Sequence, residues 1–252
     1  MRFRKISVSV FLFAAMIAAK PAAAVCSNAT LTGVFGYFHG RPDGIGGMRA
    51  VVGQMTADGQ GNVTGSWTMS LNGTVSTGNF TGTYSISKNC TGSITLKNED
   101  FPTADYNIVL DDSHRGFQMI QTDNGTAQPG FALAQGTVTC GLTGKKQTFA
   151  TNLLGTVITS STTADVATVV GQVTLDGKGN ISGTQTSSVG GMISTVSVTG
   201  TYTQNADCTG TAQVTPTGSA TANFNTVAVN GGKELLLIEI DTSTVIAGTA
   251  QE

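Results

Sequence analysis

The sequence predicts an all-β protein built from two tandem eight-stranded antiparallel up-and-down barrels, each closed by one disulfide. Three observations carry that expectation. The chain contains itself twice: residues 51–94 and 169–212 align without a gap at an offset of 118. Alternating runs rich in Val, Ile and Thr lie between glycine or asparagine turns, and no long stretch has helical periodicity with caps. Of four cysteines, Cys26 and Cys140 each open a copy, and Cys90 and Cys208 stand at equivalent places at that offset.

The elements follow in chain order. Residues 1–24 have the pattern of a secretory signal peptide. Arg2, Arg4 and Lys5 form a basic start, Ile6 to Ala19 an apolar run, and Ala22-Ala23-Ala24 a small-residue cleavage site. An uncleaved anchor is the alternative, although the run is short for a membrane span. Cys26 just past the cut raises a lipoprotein, but Val25 precedes it where a lipobox has a small residue. Loss of Arg2, Arg4, Lys5 and Lys20 leaves nine cations against fifteen acids, a net charge of −6. Such a chain lacks the basic face that nucleic acid or an anionic membrane surface requires. The expected location is secreted, periplasmic or at the cell surface, with no membrane span after signal cleavage.

Repeat one is assigned to 25–136 and repeat two to 137–252. Predicted strands in repeat one are 33–40, 48–57, 62–71, 74–87, 92–98, 104–111, 115–123 and 127–135. Those in repeat two are 149–159, 167–175, 180–189, 193–204, 210–216, 222–230, 234–241 and 244–251. Asp58-Gly59-Gln60-Gly61-Asn62 and Asp176-Gly177-Lys178-Gly179-Asn180 read as tight hairpins, because Gly and Asn accept positive φ. A calcium loop would need further acidic ligands that neither segment has. Short connections favour up-and-down barrels, whose closure removes exposed edges. A β-sandwich per repeat is the alternative. A transmembrane barrel conflicts with aromatics at only 6% of the chain.

Cysteines in an exported chain suggest disulfides. Of the three possible pairings, the repeat selects Cys26–Cys90 and Cys140–Cys208, one within each copy. Each is worth about 4 kcal/mol on the chain-entropy account. No CxxC or His-x₃-His spacing points to a metal, and no cofactor motif is found.

Leu235 and Leu237 should face one way, and Leu236, Ile238 and Ile240 the other. Apolar residues on both faces of one strand mean burial on both, so one face lines the barrel and the other packs on the partner repeat.

The leading Cys, the Asp-Gly-x-Gly-Asn turn and the Thr81-Gly82-Thr83-Tyr84…Cys90-Thr91-Gly92 segment, repeated from Thr199, resemble exported bacterial tandem-repeat β domains of unknown function. In strand count each repeat resembles the calycin barrels, the lipocalin-like carriers, and that resemblance implies an interior that holds a ligand. The lipocalin Gly-x-Trp signature is absent: Gly33-Val34-Phe35-Gly36-Tyr37 stands in the first strand.

Candidate ligand-binding residues are His39, Arg41 and Arg49 about the first loop of repeat one, where Asp43 also lies, with Trp67 and Tyr84 in the same barrel. An arginine at a barrel mouth suits a carboxylate or phosphate. Glu239 is the candidate in repeat two, with Gln121 in its place in repeat one. Asp111, Ser113 and His114 are neighbours at a hairpin tip, not a triad converging from separate elements. No catalytic residue is assigned. The expected function is a non-enzymatic exported protein that binds a small apolar ligand. Alternatives are a structural or adhesive module and a cyclase- or isomerase-like barrel enzyme.

Overall fold

The computed structural model describes residues 25–41, 48–98, 103–113, 115–136, 140–160 and 163–252. The proposed signal segment, Asp43 and His114 lie outside the described residues.

Barrel one contains β1 (Thr32–Arg41), β2 (Arg49–Asp58), β3 (Asn62–Leu71), β4 (Thr74–Ile86), β5 (Thr91–Lys97), β6 (Ala104–Leu110), β7 (Gly116–Gln121) and β8 (Pro129–Ala134). Barrel two contains β9 (Gln147–Ile158), β10 (Ala164–Leu175), β11 (Asn180–Val189), β12 (Met192–Gln204), β13 (Thr209–Pro216), β14 (Ala222–Val229), β15 (Glu234–Glu239) and β16 (Thr244–Gln251). Each set pairs antiparallel with its sequence neighbours and closes, β1 on β8 and β9 on β16. The barrels are therefore present and the sandwich alternative falls. The disulfides are Cys26–Cys90 and Cys140–Cys208. Such bonds fit an oxidising environment.

One end of each barrel is plugged in the same way. In barrel one the chain enters through a short 3₁₀ turn, Asn28–Thr30, and Leu31 closes the end at 1% exposure. The Tyr84 hydroxyl donates to the Leu31 carbonyl at 2.6 Å. In barrel two Leu142 takes that place, and the Tyr202 hydroxyl donates to its carbonyl at 2.8 Å. The Asp-Gly-x-Gly-Asn hairpins sit at these ends. Asp58 Oδ1 accepts from the backbone N–H groups of Gln60, Gly61 and Asn62, and Asp58 Oδ2 accepts from the Asn62 amide. Asp176 does the same with Lys178 and Asn180. These carboxylates serve as turn locks, and the donors hold both well below the usual carboxylate range, at about 2. Asn230–Gly232 makes the tight connection from β14 to β15, with positive φ at all three residues.

The barrels lie side by side with their plugged ends together. At that end Gly231 N–H donates to Gln135 O at 2.8 Å, and at the other Ser243 N–H donates to Gly73 O at 3.0 Å. Between these bonds the outer faces form a third apolar core. Ala50 and Val52 of barrel one meet Val227, Val229, Leu236, Ile238, Val245 and Ala247 of barrel two, all at most 5% exposed. The double-faced β15 explains this: Leu235 and Leu237 belong to the interior of barrel two, Leu236 and Ile238 to the joint. Gly36 allows the close approach, since a Cβ there would lie 2.5 Å from Val229 Cγ1.

Candidate functional site

The unplugged end of barrel one opens into a cavity of about 360 Å³. Its depth is set by alternation on β1, where Phe35, Tyr37 and His39 all point inward at 2–3% exposure. Glycines on neighbouring strands leave room for the rings. Gly53 sits against the Tyr37 ring, Gly65 against Phe80 and Gly78 against Trp67, each too close for a Cβ. Val51, Trp67, Met69, Leu71, Phe80 and Leu96 form apolar walls, while Lys97, Asn98, Thr103, Asp123 and Thr126 line it nearer the mouth.

A polar group crosses this apolar chamber. The Tyr106 hydroxyl lies 3.3 Å from His39 Nε2, and the Tyr37 ring is stacked near parallel to the imidazole with centroids 6.1 Å apart. Tyr37 itself donates to the Ser66 carbonyl at 3.2 Å. Arg49 enters from the start of β2. Its Nε is buried without a hydrogen-bond partner, and among the described residues it makes no ion pair. Gln121 donates through Nε2 to Asp123 at 2.8 Å, which fixes its amide and leaves Oε1 buried without a partner. The Gln128 amide acts on the His39 ring, yet His39 Nδ1 and Gln128 Oε1 are not in hydrogen-bond geometry with any group.

These surroundings fix the protonation states. Burial, reinforced by the Arg49 charge, lowers the His39 pKa to about 3, so the imidazole is neutral at ordinary pH. Burial pushes the Tyr106 phenol up to about 12 and the Tyr37 phenol well above its usual value. Among the described residues that line the chamber, Arg49 and Lys97 are the basic side chains and Asp123 is the acidic one. The Asp123 carboxylate also accepts from the Asp105 N–H at 3.0 Å.

Barrel two is the internal control. The ladders place Thr151 opposite Gly171 as Tyr37 is opposite Gly53, and Leu153 opposite Val169 as His39 is opposite Val51. Phe224 pairs with Ala212 as Tyr106 pairs with Ile94. Arg49 becomes Ala167, Trp67 becomes Gln185 and Gln128 becomes Ile246. The polar group thus disappears almost entirely. What remains inside is an apolar space of about 70 Å³.

The residues singled out from sequence separate accordingly. His39, Arg49 and Trp67 meet in the barrel-one cavity. Arg41 ends β1, and its side chain is not among those described. Tyr84 shares the barrel but stands at the opposite end, where it holds the plug. Glu239 lies inside the far end of barrel two, paired with Phe224 and 8% exposed, so it is neither on the surface nor beside the other candidates. Burial raises its pKa to about 7, opposed by a Thr244 hydrogen bond and assisted by Asp241. Gln121 occupies the matching position in barrel one. Tyr37, Tyr106 and Gln128 were not singled out. Each looks like ordinary strand filling until the register brings it to His39. Asp111 accepts from Ser113 and from the Arg115 N–H within one turn, the geometry of a local loop. Among the described residues no group of three or more His, Cys, Asp or Glu is placed to hold a metal ion. No family model matches the chain, and no curated protein matches it.

Proposed function

We propose that this is an exported, non-enzymatic, lipocalin-like binding protein in which barrel one holds a small, largely apolar molecule and barrel two is a packed partner. The observation that carries this is the difference between the two interiors. One fold, made twice in one chain, retains about 360 Å³ in barrel one and about 70 Å³ in barrel two. The larger volume is within the usual range for small-molecule sites, which are mostly apolar with a few placed polar groups. The His39, Arg49, Tyr106 and Gln128 group also occurs only where the larger space is. The two disulfides and the signal-like residues 1–24 support export.

The protonation states favour binding over catalysis. General acid–base chemistry needs a group titrating near the working pH. In the chamber His39 is held neutral and both tyrosines are held protonated. Glu239 does titrate near neutrality, but it belongs to the filled barrel. A structural or adhesive module remains the second reading, favoured by the continuous apolar joint between the barrels.

Native mass spectrometry of the exported protein, before and after organic extraction, tests the first reading. An extractable mass lost together with a change in Trp67 emission establishes the carrier. A protein that is ligand-free as isolated, and whose Trp67 emission no apolar probe alters, leaves the structural module.

A further inference from the structure

Resting on the reading of barrel one as a binding chamber, the polar groups narrow the class of ligand. A guanidinium nitrogen taken out of water without an acceptor is costly unless something compensates it, and Arg49 is half-buried with its Nε fully so. Here Arg49 projects buried, unpartnered Nε toward the chamber while His39 beside it is neutral. Asp123, the acid among the described lining residues, is already engaged by the Gln121 amide and the Asp105 N–H. With Lys97 toward the mouth, the described residues that line the chamber carry two cations against one acid. Barrel two carries Ala167 where Arg49 stands, so the barrel itself does not need the cation. Gln121 Oε1, on a side chain 92% buried by its 8% exposure, is an acceptor with no donor. The complement is a molecule with a single negative charge, rather than a phosphate with two, and a largely apolar body.

We propose that barrel one takes a small organic carboxylate, its charged end beside Arg49 and its apolar body against Trp67, Met69 and Phe80. A guanidinium binds a carboxylate through charge-assisted bonds that are stronger in a water-poor site. The free Gln121 carbonyl would further favour an acid bearing a hydroxyl or amino group.

Trp67 is the chain's one tryptophan and lies in the chamber wall, so its emission responds to a molecule held in barrel one. The test is a fluorescence titration of the intact, disulfide-bonded protein with 4-phenylbutanoate, 4-phenylbutan-1-ol and 4-phenylbutylamine. The acid should bind at least about tenfold more tightly than the alcohol, the effect expected of one charge-assisted bond. That preference should vanish in Arg49→Ala, which copies barrel two, and in Arg49→Gln, which keeps more of the side chain. An alcohol or amine binding as tightly as the acid overturns the carboxylate assignment and leaves the chamber reading standing. A preference that survives both substitutions also overturns it. Trp67 emission unmoved by all three probes overturns both.

Discussion

Tyr106 and His39 hold one another inside barrel one, the phenol oxygen 3.3 Å from Nε2 and the rings edge-to-face at 5.4 Å. The imidazole is neutral because burial and the Arg49 charge outweigh the Gln128 hydrogen bond that favours its charged form. Tyr37 and Tyr106 stay protonated and Arg49 repels a second positive charge. His39 titrates near 6.5 in the unfolded chain and near 3 in the folded one, so the unfolded state takes up the proton first. Stability from this residue is complete above pH 6.5 and is lost as pH falls. Between pH 7 and pH 5 the loss is about 2 kcal/mol. His39→Leu, which installs the barrel-two residue, should remove that loss. Denaturant midpoints at the two pH values check it, and an unchanged difference between them would count against a buried neutral imidazole.

Glu239 runs the opposite way. Its folded pKa is raised from 4.5 to about 7, so the folded state holds the proton more tightly. Its contribution is full below about pH 4.5 and is lost as pH rises through 7. Between pH 7 and pH 5 this is a gain of about 2 kcal/mol, close to what His39 loses. The native protein should therefore be nearly flat in stability across this window. Glu239→Gln, the counterpart of Gln121, should expose the His39 slope and become less stable toward pH 5. Chemical denaturation of the variant at half-unit pH steps gives the slope directly. A variant as flat as the native protein would show that Glu239 is not buried as a neutral acid.

Much of this architecture was legible in the chain, and the reason is physical. Alternating Val, Ile and Thr between positive-φ turns leaves few options besides strands, and an offset of 118 places each strand twice. The double-faced segment Leu235–Ile238 announced the joint, because only burial on both sides tolerates it. The site was less legible. Sequence shows that Tyr84 and His39 belong to one barrel, but not that they stand at opposite ends of its axis. That depends on ladder register, which also gathers Tyr37, Tyr106 and Gln128. A signal existed in the repeat itself: Arg49 beside Ala167, and Trp67 beside Gln185, mark where one barrel departs from its copy.

The two plug tyrosines should behave alike. Tyr84 and Tyr202 both donate to a buried leucine carbonyl, and Tyr84 does not line the barrel-one cavity. Tyr84→Phe and Tyr202→Phe should each cost about 1 kcal/mol of stability by removing one hydrogen bond. Tyr84→Phe should leave probe affinity at Trp67 unchanged within twofold. A marked loss of affinity would place Tyr84 in the chamber after all.

Gly36 decides how closely the barrels dock. Its missing side chain lets β1 meet β14, and a Cβ would fall 2.5 Å from Val229 Cγ1 and 2.8 Å from Val227 Cγ1. These are side-chain atoms of a packed joint at 0–5% exposure, with little room to yield. Gly36→Val should force the outer faces apart and cost about 1–3 kcal/mol, the usual penalty of overpacking. Because Gly36 points away from the cavity, the interior of barrel one should keep its form. The variant should thus lose thermal stability and become more readily cleaved between the barrels, while Trp67 emission stays native. Val229→Ala in the same chain should recover part of the loss by opening space at the contact. If the double variant is no more stable than Gly36→Val alone, the penalty does not come from this joint.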